Sequence, residues 1–397
     1  MHSPMFAENR QEHLIQLLCP TRLLVAALLF ITQSAAMEGV IGLTNGSATM
    51  VEQHHGSLRQ GRGHSQHQEL MRTRCSVLER QYVPSPLEKN WVDSAAKWKS
   101  DGNGDVHNTT QYCQLMIETA PEIQKMLGLI ASLMKTNTSL SREPDADAVL
   151  SYITTKVKCG THEIVRKEHI ESLVGALRHP FSIKCPDEFT SRLPPASDIM
   201  DLSYVLLAGG SDHKGPMGRS RYYLDAGAGI GYKKNPDQHW TIESYAARGN
   251  QLDRAVFWEA SPATGDVVLA DVPPHLFPAF TFYNIPVPRD LSDQRNILNV
   301  VTRLAKPWDF VSVKLDIDAP EVEDEWAQAI LGDGPTGQQR SKYAELIDEL
   351  FWEHHFDLKP LRDCCWGDKV DSTRQLADSM RLFQQLRQLG IRAHYWP

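Results

Sequence analysis

Asp225, Gly227, Gly229 and Gly231 occupy every second position of YYLDAGAGIGY, residues 222–232, directly behind an apolar run. Glycines at such a place let the backbone turn tightly and approach a ligand with no side chain between them. The ligand such a loop suits is a nucleotide or nucleoside, although a glycine-rich turn can also be purely architectural. A dinucleotide fingerprint needs Gly-x-Gly-x-x-Gly, and here Tyr232 stands where its third glycine belongs. Three other stretches carry chemistry. Glu259 ends AVFWEA, and a carboxylate has enough acceptor sites to take both hydroxyl hydrogens of a ribose. Asp316 and Asp318 end VSVKLDID; two apart on an extended chain, they point to one side. They suit proton abstraction and acceptor positioning, or a divalent metal on a nucleotide-sugar diphosphate. In ELFWEHHF, His354 is a second candidate base; on a strand His355 points the other way, and a packed core histidine is an equal alternative.

The elements that must position these residues are short apolar runs alternating with helical stretches: RYYLDA, RAVFWEA, FTFYNIPV, WDFVSVKLDID, ELFWEHHF and IRAHYWP. That alternation predicts an α/β fold over residues 215–397, a doubly wound, mostly parallel sheet covered on both faces. Ligands of such sheets sit at the carboxyl ends of the strands, near the point where strand order reverses. A helix is expected behind the capping pair Ser372 and Gln375, with Leu376, Met380, Phe383 and Leu386 on one face and Gly390 as its stop. Residues 73–205 are expected to be mainly helical. PEIQKMLGLIASLMK places Ile123, Met126, Leu127, Ile130 and Met134 on one face with Pro121 at the helix start, and HIESLVGALRHPFSIKC suggests a second short helix ending before Pro180.

With 397 residues, 41% of them hydrophobic, the chain has ample material for a core. A net charge of -8 and the lack of a basic run interleaved with aromatics argue against a nucleic-acid partner. Residues 1–36 match a secretory signal or signal anchor: Arg22, an apolar stretch from Leu23 to Ile31, then Ser34, Ala35 and Ala36. Only that segment offers a membrane contact. Residues 37–72 form a polar linker rich in His, Gln and Gly. Acceptor triplets for glycosylation begin at Asn45, Asn108 and Asn137. Beyond the signal, Cys75, Cys113, Cys159, Cys185, Cys364 and Cys365 form an even set suited to disulfides, with the adjacent Cys364 and Cys365 expected to pair elsewhere than with each other. Neither Cys-x-x-Cys nor His-Glu-x-x-His occurs, and no metal centre is expected from spacing.

The Asp-x-Gly-x-Gly-x-Gly loop followed by an acid ending the next strand resembles the class I S-adenosylmethionine-dependent methyltransferases. VKLDIDAP, with Lys314, Asp316 and Asp318, and the acid and histidine of ELFWEHHF are similar to the FkbM-like branch, across roughly residues 220–397. Asp318 and Ala319 stand where that branch has Glu and Gly. The resemblance implies that Asp225, Gly227, Gly229, Gly231 and Glu259 bind S-adenosylmethionine, and that Asp316, Asp318 and His354 serve methyl transfer. With the secretory route it also implies a sugar or other hydroxyl as acceptor. Two alternatives stay open: a Golgi glycosyltransferase holding a metal-bound nucleotide sugar on Asp316-x-Asp318, and a lumenal protein that keeps the fold without catalysis.

Overall fold

A computed structural model describes residues 75–98, 104–136, 145–209, 220–233, 236–332 and 340–397. The signal segment, the linker, Asn45 and Asn137 lie outside the described residues, and no described helix is long and apolar enough to cross a membrane.

Among the described residues, nine strands form two sheets. β1 (Cys75–Val83), β2 (Leu150–Cys159) and β3 (His162–Glu171) make a three-stranded antiparallel sheet. β4 (Arg221–Ala226), β5 (Arg254–Trp258), β6 (Phe280–Tyr283), β7 (Phe310–Leu315), β8 (Glu349–Trp352) and β9 (Arg392–Tyr395) make a six-stranded sheet. Every pairing in the larger sheet is parallel, and its order is β6-β5-β4-β7-β8-β9. Counted from its own first strand this is 3-2-1-4-5-6, a Rossmann-like order whose reversal lies between β4 and β7.

Burial on both faces shows why these runs carry almost no polar alternation. Along β4 and β5, Leu224, Val256 and Trp258 enter one hydrophobic cluster while Tyr223, Ala255 and Phe257 enter the other. The first face is covered by α4 (Ile297–Leu304), α5 (Pro320–Leu331) and α6 (Leu376–Gln388) through Val301, Trp326, Ile330, Met380 and Phe383. The second is covered by α3 (Pro236–Ala247) through Ile242 and Tyr245, and by the segment 202–208. Gln375 caps α6, its side chain forming a capping box with Asp378 rather than with Ser372, and the chain leaves the helix through Gly390 at φ 80°.

The region before residue 205 departs from the mainly helical expectation. It holds α1 (Pro86–Ala95) and the long α2 (Gly104–Thr136), but also the whole antiparallel sheet. Pro121 sits inside α2 instead of opening it. The hydrogen bond lost there is outweighed by Tyr112 and Met116 before it and Ile123, Met126 and Ile130 after it, all buried in one core. The short helix expected across HIESLVGALRHP is absent: His169–Glu171 complete β3, and Gly175 (φ 61°) and Leu177 (φ 60°) are left-handed, which no α-helix tolerates. Cys113 pairs with Cys185 across a separation of 72 residues. Contrary to expectation, Cys364 and Cys365 pair with each other, within the π-helical turn Arg362–Trp366. Cys113 and Cys185 satisfy one another, and the β1–β2 register sets Cys75 opposite Cys159.

A buried ionic network joins the small sheet to the large one. Arg387 of α6, with no exposed surface, reaches Glu88 of α1 at 3.4 Å and Glu171 of β3 at 3.0 Å. His394 of β9 bridges Glu171 at 2.8 Å and Glu349 of β8 at 2.7 Å. Burial alone pushes Glu349 up, but His394 and Arg392 outweigh it and hold its carboxyl at about 2. Burial likewise opposes the charge on His394, and the two glutamates outweigh it and raise its pKa.

Candidate functional site at the strand ends

Gly227, Glu259, Asp316 and Glu353 are the residues next after β4, β5, β7 and β8, so they share one rim of the sheet. Backbone pairing continues one step past the strands: Gly227 donates to Trp258, Glu259 to Tyr283, Asp316 to Ala226 and Glu353 to Leu315. In sheets of this order ligands bind at this rim, beside the strand-order reversal between β4 and β7.

The glycine loop is held from below. Gly227, Gly229 and Gly231 all have positive φ, at 88°, 68° and 89°. At Gly227 the requirement is absolute, because an added Cβ would lie 1.4 Å from the backbone oxygen of Asp316. The loop therefore lies directly on the end of β7. Lys314, the register partner of Asp225 and 1% exposed, organises the junction. Its ammonium donates to Asp225 at 3.3 Å and to the Gly227 carbonyl at 3.2 Å, and it pairs with Asp316 at 2.8 Å. Asp225 is fully buried, and Tyr223 donates to its other oxygen at 3.1 Å. Burial raises the Asp225 pKa, with Lys314 opposing. Asp225 is thus placed beneath the loop, as its support.

Glu259 lies across the loop. Its Oε2 accepts the Gly229 N–H at 2.8 Å and its Oε1 accepts the Ser261 N–H at 2.6 Å. A carboxylate offers about four acceptor sites, so two backbone donors leave room for hydroxyl donors. Behind the loop, Gln238 of α3 donates to the Ala228 carbonyl, while its own Oε1 is buried without a partner. Beside the glycine loop, a half-buried acid with spare acceptor capacity and an orphaned amide oxygen fit a nucleoside-bearing cofactor.

Asp316 has a side chain 20% exposed, enough to face solvent, and burial pushes its carboxyl well above the ordinary range against the opposing pull of Lys314. Asp318 is exposed, at φ 56°, and its Oδ1 meets the Lys369 ammonium at 3.3 Å. The two acids thus engage different lysines. His354 is not in this group. Its Nδ1 meets the Ser379 hydroxyl of α6 at 2.6 Å and its Nε2 takes a hydrogen bond from Arg374 at 2.9 Å. Since Arg374 only donates, the His354 proton is on Nδ1. Burial drives its pKa down to about 3, which makes it a neutral core histidine with both nitrogens occupied.

Three groups at the rim have no site role in the sequence reading. Glu353 Oε1 accepts from Arg178 at 3.1 Å and from Trp366 at 2.8 Å, and its Oε2 lies 3.1 Å from His355 Nε2. Burial pushes Glu353 up, but His355 and Arg178 outweigh it and hold the carboxyl at about 2. His355 stacks on Trp366 with ring centroids 4.6 Å apart. Burial pushes the His355 pKa down and Glu353 more than reverses it. Glu323 of α5 accepts from the Ile317 N–H at 2.9 Å and from Trp352 at 3.2 Å, and burial raises it to about 7. The visible signal for Glu353 and His355 was the acid and histidine pair directly behind the apolar run ELFW.

No protein-family model matches the chain, and neither does any curated protein or solved structure.

Proposed function

We propose that the chain transfers the methyl group of S-adenosylmethionine to a hydroxyl acceptor, a sugar hydroxyl above all, in the secretory pathway. The observation that carries this reading is the contact of Glu259 with Gly229 at the switch point of a 3-2-1-4-5-6 sheet. It sets a carboxylate with free acceptor sites against a loop whose backbone is bare.

On this reading Glu259 accepts the ribose hydroxyls and the Gly227–Gly231 backbone lies along the cofactor, with Asp225 and Lys314 fixing the loop from beneath. Bound there, the cofactor supplies an electrophilic methyl. Asp316 takes the acceptor proton: it stands at the carboxyl end of β7, reachable from solvent, and its raised pKa brings it closer to the working range of a general base. Asp318, exposed beyond it, orients the acceptor. His354, with both nitrogens engaged, has no such role. Nothing favours Asp316 and Asp318 as a joint metal grip for a nucleotide sugar, because the buried Lys314 already holds Asp316.

Calorimetric titration of the full chain tests the reading, with S-adenosylmethionine and separately with UDP-sugars plus manganese. Cofactor binding that is lost on Glu259→Ala supports methyl transfer. Nucleotide-sugar binding lost on Asp316→Ala moves the assignment to glycosyl transfer, and silence with both from a folded sample leaves a fold without its chemistry.

A further inference from the structure

We infer that Asp318, Glu353 and His355 form a binding site for one divalent cation at the carboxyl ends of β7 and β8. One ligand atom from each of the three lies within 4.8 Å of the other two. Two of them are already aimed by partners on their far sides. His355 Nδ1 is 2.6 Å from the Lys369 carbonyl, an oxygen that only accepts, so Nδ1 carries the proton and Nε2 points inward. Glu353 Oε1 is held by Arg178 and Trp366, which turns Oε2 inward. Outer partners that fix a histidine tautomer and a carboxylate rotamer are the usual surroundings of metal ligands.

A second observation is independent of the clustering. His355 is 1% exposed, yet its Nε2 makes no hydrogen bond. Glu353 Oε2 faces it at 3.1 Å as its ion-pair partner. In the metal-free chain only a proton on the imidazole reconciles this nitrogen with the Glu353 carboxylate, and a divalent cation can take that proton's place. A cation held between imidazole nitrogen and carboxylate oxygen satisfies both groups at once. Asp318, on the exposed side, closes the set once the Lys369 ammonium moves off it; that lysine side chain is 53% exposed. One nitrogen and two carboxylate ligands suit Mn²⁺ or Zn²⁺ and leave coordination positions for water or an oxygen ligand. The site itself is independent of the methyl-transfer reading; only the further step, that the cation would hold acceptor hydroxyls, rests on it.

The test is electron paramagnetic resonance of Mn²⁺ titrated into the full chain, with neither S-adenosylmethionine nor a sugar present. The free-ion signal is expected to be suppressed up to one equivalent. Glu353→Gln and Asp318→Asn should each weaken binding tenfold or more, a loss on the order of 10–100-fold being usual even for outer partners. Asp318 is exposed, so Asp318→Asn keeps the test valid should Glu353→Gln fail to fold. Asp316→Asn should leave the affinity within about threefold, and circular dichroism checks folding throughout. The site is refuted if folded wild-type chain takes up neither Mn²⁺ nor Zn²⁺. Unchanged affinity in Asp318→Asn, or loss in Asp316→Asn alone, overturns it as well. Cofactor titration on the same samples reports separately on methyl transfer.

Discussion

Glu259 Oε2 accepts the Gly229 backbone N–H at 2.8 Å, so the acid behind β5 and the loop behind β4 hold one another in place. Truncating Glu259 removes both the loop contact and the ribose acceptor. Glu259→Ala is expected to weaken S-adenosylmethionine binding by about tenfold to a hundredfold, the value of one or two hydrogen bonds to a charged group. Glu259→Gln, which keeps one carbonyl acceptor, should lose less. Calorimetric titration of both variants decides it, and equal affinities for wild type and Glu259→Ala would refute the assignment of Glu259.

Gly227 tests how tightly the loop packs on the end of β7. Alanine there meets the Asp316 carbonyl at 1.4 Å and must hold φ at 88°. Gly227→Ala is therefore expected to cost at least about 3 kcal/mol. Gly265 has nothing within 4 Å of an added Cβ and serves as the control, with Gly265→Ala within about 0.5 kcal/mol of wild type. Urea midpoints of the two variants give the comparison.

Asp316 and His354 separate by pH profile. If Asp316 is the base, Asp316→Asn lowers kcat by about 10²–10⁴ and removes the acidic limb of the rate profile, with cofactor affinity little changed. His354→Gln should lower the unfolding midpoint and keep that limb. An acidic limb that survives Asp316→Asn would transfer the role to another group.

His394 gives the stability of the chain two pH limits of opposite sense. Its folded pKa is raised from 6.5, so its contribution is complete below 6.5 and is lost as pH rises through the folded value. Glu349 is lowered from 4.5 to about 2, so its contribution is complete above 4.5 and is lost as pH falls toward 2. Stability from this pair should peak between the two unfolded values. His394→Gln is expected to cost about 3–5 kcal/mol at pH 5.5 and to flatten the decline on the alkaline side. Urea midpoints at pH 5.5 and 8.5 measure both effects.

The parallel sheet was legible because its strands, the edge strand β6 excepted, are buried on both faces. RYYLDA, RAVFWEA and VSVKLDID are apolar runs with turns and helical stretches between them. β3 reads HEIVRKEHIE and is exposed over its first four residues, so no core-facing pattern announces it. β1 and β2 lie on either side of α2, and their pairing is a contact that local periodicity does not encode. The left-handed turn at Gly175 and Leu177 defeated an apolar spacing that resembled a helix. In the candidate site, Glu259 was visible from its place after a strand, whereas the support role of Asp225 depends on Lys314 from a strand 89 residues later. Glu353 and His355 were hidden for the same reason: their partners Arg178, Trp366 and Lys369 come from separate segments.

Arg387, His394 and Glu349 also set where this gene product can be cut. A fragment opening near residue 215 would keep every strand of the parallel sheet yet leave Arg387 without Glu88 and Glu171, and His394 without one of its two carboxylates. Stranded charges of that kind cost more than a marginally stable domain can spare. The glycine-loop half is therefore not a portable module: recombination, domain transplantation or truncated expression must carry α1 and β3 along with it.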